Sequence, residues 1–383
     1  MYVPTKLIPC QLVNSFTCQL YISMRFLFFA ELSYAYSILR PLQREIRRRG
    51  DEVAWLLLPT CPDRLDPDEK RVGSLREAID YAPTAIFAPG NFIYYFLPGI
   101  KVKVFHGYPI NKRNYEVDNH FRLRGWFDML CTAGDSAYLP FKALSEKHPY
   151  FKVYKTGWAK MDDFFPLRSG GDGRIANPTG RDSIDSSHRP TILYGSTFTQ
   201  SLTSAYVMPD VIEKIAKEKD WDWLLTLHPK LNDPELLERY HRLADEHDNI
   251  TFKSSVTVED MLSTDAMLCD SSSIILEYMM LQKPVVTYRN SQPGDHLINI
   301  IEPDKVVGAL EKALTRPPEL MEAIDRLTAY HEAFRDGHNC RRILDAVDDF
   351  IANHQGRLAP KPKNFSRKLI QRWQCLTNHN HEK

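Results

Sequence analysis

The sequence has none of the spacings that hold a structural metal. Its seven cysteines, at 10, 18, 61, 131, 269, 340 and 375, form no C-x-x-C pair and no ladder with histidine. The odd count without pairs reads as reduced thiols in a cytosolic protein. No carboxylate cluster points to a metal either, so neither metal nor cofactor is expected. Charge of one sign is also missing, with Lys+Arg and Asp+Glu at 49 each. A neutral total gives no support to a nucleic-acid coat or an acidic tail, and no nucleic-acid partner is expected. No apolar run reaches bilayer-spanning length. The apolar stretch in residues 1–23 is broken by Gln, Asn, Ser and Thr and has no small-residue cleavage site, which argues against a secretory leader. Met24 then opens MRFLFFAEL, the first core strand. Residues 1–23 read as an N-terminal extension ahead of the biological start, or as a short ordered arm.

What is present is an alternation. The 383 residues suffice for two domains of ordinary size. Apolar runs at 25–29, 53–58, 84–88, 102–105, 128–132 and 152–154 predict strands, with helical periodicity between several of them, as over 35–49. Residues 166–190 are dominated by Gly, Ser, Asp, Asn and Pro and read as a linker. The alternation then restarts. Strands are predicted at 191–194, 223–227, 249–253, 266–269 and 285–289. Helices are predicted near 207–219, 233–247, 258–263, 272–281, 303–315, 317–335 and 340–354. Strands alternating with helices imply parallel sheets covered on both faces. The fold class expected is α/β, two doubly wound Rossmann-type domains facing a cleft. The divisions expected are 24–165, the linker 166–190, a second domain at 191–330, C-terminal helices at 331–356 and a tail at 357–383.

The tail carries seven Lys/Arg against one acidic residue. Phe365, Leu369, Ile370, Trp373 and Leu376 fall on one helical face, with Arg367, Lys368 and Arg372 outside it. A basic amphipathic helix suits an anionic membrane surface; the alternative is a partly disordered basic tail.

Four segments fall just past the carboxyl ends of predicted strands, the edge where open α/β sheets bind ligands. In FHGYP, His106 can serve as a general base or simply pack in a turn that Gly107 allows. In YGSTF, Gly195, Ser196 and Thr197 can approach a phosphate or form an ordinary turn. In TLHPK, His228 and Lys230 can steady a pyrophosphate or face solvent at a helix entry. In CDSSSI, Asp270 ends a strand and Ser271, Ser272 and Ser273 open a helix. There the hydroxyls can join the helix N–H groups on a phosphate, or Ser271 or Ser272 can be a plain N-cap. Glu277, one turn on, can bond a ribose or face solvent.

These segments, in order over residues 85–345, resemble the CDP-glycerol glycerophosphotransferase family, the teichoic-acid type of polymerases and primases with a GT-B fold. The family's W-H-G-x-P-x-K is similar to FHGYPIN, with Phe105 for Trp, Pro109 kept and the lysine displaced to Lys112. Its G-x-P-R-x-D is similar to GWAKMD, with Lys160 for Arg, Ala159 for Pro and Asp162 kept. Its A-P-T-[WF]-R resembles GSTFT, with Thr199 for Arg. The family's H-P resembles His228–Pro229, and its T-D-Y-S-S-[VI] resembles Cys269–Ile274 followed by Glu277–Tyr278. Lys283, Pro284 and Tyr288, then Asp336–Gly337 and Arg341, complete the ordered set.

The resemblance implies transfer of glycerol phosphate, or a related polyol phosphate, from a CDP-activated donor to an acceptor hydroxyl of a glycan or lipid-linked acceptor, with CMP leaving. His106 would be the base. His228 with Gly195, Ser196, Thr197, Lys230, Asp270, Ser271, Ser272 and Ser273 would hold the donor's phosphates, Asp270 orienting the serine loop or its helix. The departures leave CDP-ribitol or another donor open. Without the long N-terminal extension of the large polymerases, a single addition suits the chain better than polymerisation. A nucleotide-sugar 2-epimerase, another GT-B glycosyltransferase and a catalytically silent nucleotide-binding scaffold are the alternatives. The expected location is cytoplasmic, peripheral on the inner face of the cell membrane.

Overall fold

Strands buried on both faces are mostly apolar, and residues 26–30 (Phe-Leu-Phe-Phe-Ala) are no more than 1% exposed. The computed structural model describes residues 23–109, 120–165 and 189–378. It contains two six-stranded sheets. The first is built from β1 (Arg25–Ala30), β2 (Glu52–Leu57), β3 (Ala85–Ala88), β4 (Ile100–Lys103), β5 (Met129–Thr132) and β6 (Lys152–Lys155). The second is built from β7 (Thr191–Ser196), β8 (Asp222–Leu227), β9 (Ile250–Phe252), β10 (Ala266–Cys269), β11 (Val285–Tyr288) and β12 (Ile298–Ile300). Every pairing is parallel.

The strand orders are β2-β1-β3-β4-β5-β6 and β12-β11-β10-β7-β8-β9. In each sheet the chain winds outward one way and then returns to wind the other. The reversal falls between β1 and β3 in the first sheet and between β7 and β10 in the second. Helices on opposite faces leave a crevice at that point, beyond the carboxyl ends of the strands.

The helix Tyr34–Arg48 covers the first sheet. Its apolar residues Ala35, Ile38, Leu39, Leu42 and Ile46 recur at helical spacing and are buried. Gly50, at φ +80°, closes it in the left-handed conformation. The late helix Asn339–Asn353 packs back onto it, and Arg49 pairs with Asp345 and Asp348. One apolar cluster therefore holds Phe28 and Trp55 from the first sheet, Met267 from the second, Met279 from the helix after β10, and Ile343 and Val347 from the late helix.

Polar ties reinforce that seam. Asp162 accepts hydrogen bonds from the N–H groups of Asn339 (2.9 Å) and Cys340 (2.8 Å), capping the late helix. Glu332 is 1% exposed. Its carboxyl accepts from the Tyr108 hydroxyl at 2.8 Å and the Trp158 N–H at 3.2 Å. Burial pushes its pKa well above the ordinary carboxylate range, against the pull of these donors.

The helix Phe365–Asn378 docks by its polar side. Gln371 is 2% exposed, accepts from the Tyr95 N–H (3.2 Å) and donates to the Ile93 carbonyl (3.2 Å). Its apolar residues point away, with Phe365 74%, Leu369 71%, Ile370 53% and Trp373 66% exposed. The Leu376 side chain lies outside the described residues.

The structure departs from the sequence reading at three places in the fold. Strand β12 was not expected: it has three residues, all half-buried, too few to carry a period. Strand β4 stops at Lys103, and the helix after β10 begins at Ile274. Residues 1–22, Lys112 and nearly all of the 166–190 linker lie outside the described residues.

Glycine 157 tests the seam. It sits at φ +78°, and a Cβ there would lie 2.0 Å from Asn339 Oδ1. Gly50, at φ +80°, has open space around it. Gly50→Ala is expected to cost only the left-handed penalty, about 1–2 kcal/mol. Gly157→Ala should add an overpacking cost of about 1–3 kcal/mol. Denaturant midpoints measure both, and equal losses would contradict the packing described.

Candidate active site

The crevice of the second sheet is held by Asp270. This residue has no exposed surface. Its carboxylate accepts from the N–H groups of Ser271 (2.7 Å), Thr197 (2.8 Å) and Ser204 (2.9 Å), and from the Ser204 hydroxyl (3.0 Å). The loop after β7 is thus tied to the loop after β10. Burial raises its pKa against the pull of these donors. A buried carboxylate so occupied is not on the ligand's side. This corrects its inclusion among phosphate-contacting residues and leaves the orienting role.

The serines divide. The Ser271 hydroxyl accepts from the Ser291 N–H at 2.9 Å. Ser273 stands at the N-cap position in a helical conformation, and its side chain makes no cap bond. Neither Ser271 nor Ser272 is a capping residue, so the plain-cap alternative fails. Ser272 is half-buried and Ser273 exposed. Among the described residues neither hydroxyl has a hydrogen-bond partner.

The loop after β7 is less open than the sequence suggested. Ser196 and Thr197 are each 4% exposed, and Phe198 is outermost at 41%. The side chain at Gly195 is not excluded by crowding, since a Cβ there would meet only ordinary contacts at 3.7 Å and beyond. Phe198 has its ring centroid 4.5 Å from that of His228, and the Lys230 ammonium lies 5.5 Å from the Phe198 ring. Phe198 matches the [WF] position of the family motif but was not singled out as a site residue, because an aromatic in a loop carries no pattern of its own.

The two candidate histidines differ in which nitrogen carries the proton of the neutral ring. His228 Nδ1 receives the Lys230 N–H at 3.1 Å. A backbone N–H can only donate, so Nδ1 is bare and the neutral ring carries its proton on Nε2. His106 Nδ1 lies 3.2 Å from the Pro89 carbonyl. A carbonyl can only accept, so there Nδ1 carries the proton and Nε2 is a free acceptor. Partial desolvation of the His106 ring, with the Lys103 charge nearby, lowers its pKa from the ordinary histidine value. Its ring is stacked on Tyr34 at 5.2 Å.

The turn that presents His106 is not made by its glycine. Phe105 is the left-handed residue, at φ +58°, while Gly107 adopts no positive φ and has open space where a Cβ would go. Expecting Gly107 to permit the turn misplaced the strain by two residues.

Lys160 and Glu277 meet across the two sheets. The ammonium is 2.6 Å from the carboxylate, with the side chains 21% and 19% exposed. Glu277 thereby ties the two halves together, so it does not simply face solvent. Asp162, as described, caps a helix.

A cavity of about 390 Å³ joins the sheets. Pro109 and Ser136 line it from the first side, and Ser271, Ser272, Asn290 and His331 from the second. His106 stands three residues ahead of the Pro109 wall and is not itself a lining residue. Asn290, on the loop after β11, donates to the Asp270 carbonyl at 2.6 Å. Sequence reasoning missed that loop. Among the described residues no group of three His, Cys, Asp or Glu is placed to hold a metal, and no helix is long and apolar enough to cross a membrane.

Three solved structures share this architecture. A wall teichoic acid polymerase, TagF, superposes with a TM-score of 0.59 at 12% identity, covering 85% of this chain and 89% of that one. A variant of it soaked with CDPG gives 0.54 at 14% identity, covering 87% and 90%. A UDP-GlcNAc 2-epimerase from Neisseria meningitidis, bound to UDP-GlcNAc, gives 0.53 at 14% identity, covering 85% and 100%. At such identities the likeness establishes a GT-B-type fold and no more. No curated protein sequence matches the chain. Residues 146–349, more than half of the chain, match the family described as CDP-Glycerol:Poly(glycerophosphate) glycerophosphotransferase. That match separates the polymerase from the epimerase, which the fold alone does not, and the chain belongs to this glycerophosphotransferase family.

Proposed function

We propose that the chain transfers glycerol phosphate, or a related polyol phosphate, from a CDP-activated donor to a hydroxyl of a surface polymer or glycolipid, releasing CMP. The observation that carries this reading is the cavity with Pro109 of the His106 turn on one wall and the uncapped serine loop on the other. The family match and the CDPG-soaked relative support the donor.

In this reading His106 Nε2 takes the proton of the acceptor hydroxyl. The freed oxygen attacks the phosphorus that bears the polyol. The bond from that phosphorus to the oxygen bridging it to CMP breaks, and CMP departs with the electron pair. Ser272 and Ser273 donate to the donor's phosphates, with the backbone of the Ser196–Thr197 loop held alongside them by Asp270. His228, with its proton on Nε2, and Lys230 face the charge that develops on the leaving phosphate. No metal is needed for this assignment, and most of the rate would come from positioning and fixed donors.

The exposed apolar face of Phe365–Asn378 is assigned to the membrane. Its polar side is occupied by the protein, where Lys368 and Arg372 rest on Tyr95 between the protein and the outward Phe365, Leu369, Ile370 and Trp373. Burying an apolar face while basic residues meet anionic headgroups is the energetics of an interfacial helix. The chain would then work peripherally on the inner face of the cell membrane, beside a lipid-linked acceptor.

Three outcomes follow. His106→Ala should lower turnover by about 10²–10⁴ while CDP-glycerol affinity, by calorimetry, stays within about twofold. A near-normal turnover would remove His106 as base. A base must be neutral to act, and the His106 pKa lies below the ordinary 6.5, so the acid limb of kcat/KM should fall below pH 6.5, with activity lost as pH drops. A limb above that value contradicts the assignment. Replacing Leu369 and Trp373 together by Ser should abolish co-sedimentation with anionic phospholipid vesicles and leave turnover of soluble substrates intact; unchanged sedimentation would exclude this face.

A further inference from the structure

The loops at the second sheet's reversal, after β7 and β10, are those assigned to the donor. The same position in the first sheet, between β1 and β3, is held by residues that no motif marks: Glu31, directly after Ala30, and Pro89–Gly90, directly after Ala88. We propose that Glu31 and the Pro89–Gly90 turn form the acceptor's polyol subsite, in which the Glu31 carboxylate receives a hydrogen bond from the hydroxyl adjacent to the attacking one. The proposal rests on the transferase reading above and names the acceptor's chemistry: a chain end carrying neighbouring hydroxyls.

The geometry converges on one dipeptide. A Cβ built on Gly90 would lie 1.7 Å from Glu31 Oε2 and 3.4 Å from the Tyr34 hydroxyl, so the carboxylate lies directly over the glycine. Any other residue there would displace it. Tyr34 stacks on His106, and His106 Nδ1 is held by the Pro89 carbonyl next door. Glu31 and Tyr34 therefore border Gly90, and the candidate base is held by Pro89 beside it. The half-buried carboxylate makes no ion pair among the described residues. Of the two cations whose fields reach it, Arg124 and Lys103, neither forms an ion pair with it, and Lys103 donates to Asn91 Oδ1 at 2.6 Å and lies 4.4 Å from the Phe105 ring.

A half-buried carboxylate without an ion pair is costly unless donors satisfy it. Partial burial pushes the Glu31 carboxyl up to about 6, although the Phe92 N–H and the fields of Arg124 and Lys103 oppose this. A polyol supplies the missing donors, because an ionised carboxylate only accepts and each hydroxyl donates once. With Nε2 of His106 taking one hydroxyl proton and Glu31 fixing its neighbour, a diol is oriented by two points and a simple alcohol by one.

The test uses the full chain with CDP-glycerol as donor and three acceptors: glycerol, 1-propanol and water. CMP release and the alcohol adduct are both measured. The wild type is expected to prefer glycerol over 1-propanol in kcat/KM by about tenfold or more. Glu31→Ala should reduce that preference at least about tenfold, while CMP release to water stays within about twofold. Gly90→Ala displaces the carboxylate without removing its charge and should reproduce the effect; thermal midpoints confirm that both variants fold. A preference unchanged in both folded variants overturns the subsite. So does an equal loss on all three acceptors, which would put Glu31 in the chemistry or in the fold. A wild type that uses glycerol no better than 1-propanol overturns it as well. A wild type that releases no CMP with any acceptor defeats the transferase reading itself, and is thereby distinguished from failure of the subsite alone.

Discussion

The carboxylate of Asp270 accepts four hydrogen bonds in the interior of the second sheet, and the loops of that sheet's crevice are arranged around it. Parallel strands deliver their loops to one edge, but nothing in strand pairing fixes those loops relative to one another. The buried carboxylate does so. It fixes the loop after β7 by one N–H, the start of the next loop by another, and the Ser204 segment by two further donors. Hydrogen bonds to a charged group contribute about 1.5–3 kcal/mol each, and buried donors left without the acceptor carry a penalty of similar size. With Asp270 satisfied internally and Ser271 engaged by Ser291, Ser272 lines the cavity with its hydroxyl unpartnered among the described residues.

The same logic of fixed partners distinguishes the two histidines. A carbonyl beside one imidazole and an N–H beside the other place them in opposite tautomers. One ring can accept a proton through Nε2, and the other can donate through it. Proton removal at the acceptor and charge stabilisation at the leaving group are opposite demands, and the opposite backbone partners suit the two rings to them. The clasp between Lys160 and Glu277, together with Glu332 at the seam, gives the two sheets a shared set of contacts outside the cavity, so the groups on either side are referred to a common frame.

Much of this was legible in the sequence because burial on both faces leaves long apolar runs. Eleven of the twelve strands answer to such runs, and β12 escaped because three half-buried residues carry no period. The loops after β4, β7, β8 and β10 were found because each follows a readable strand and contains polar residues of recognisable chemistry. What stayed hidden depends on distance or on backbone geometry. The Lys160–Glu277 pair links residues 117 apart in sequence, and no local signal predicts it. The left-handed Phe105 was masked by a neighbouring glycine that looked like the turn residue. Glu31 follows the most conspicuous strand in the chain, yet a single carboxylate after a strand means nothing until the strand order shows that it stands at the reversal.

The central claim is that the reversal points of the two sheets serve one reaction, the donor's phosphates lying at the second and its polyol directed toward the first. A crystal structure of the chain with CDP-glycerol tests this most directly. The account predicts both phosphorus atoms between the β7 and β10 loops, within hydrogen-bonding reach of the Ser272 and Ser273 hydroxyls, and the glycerol end directed toward His106. Phosphates bound anywhere else, or a glycerol end directed away from the first sheet, would contradict it.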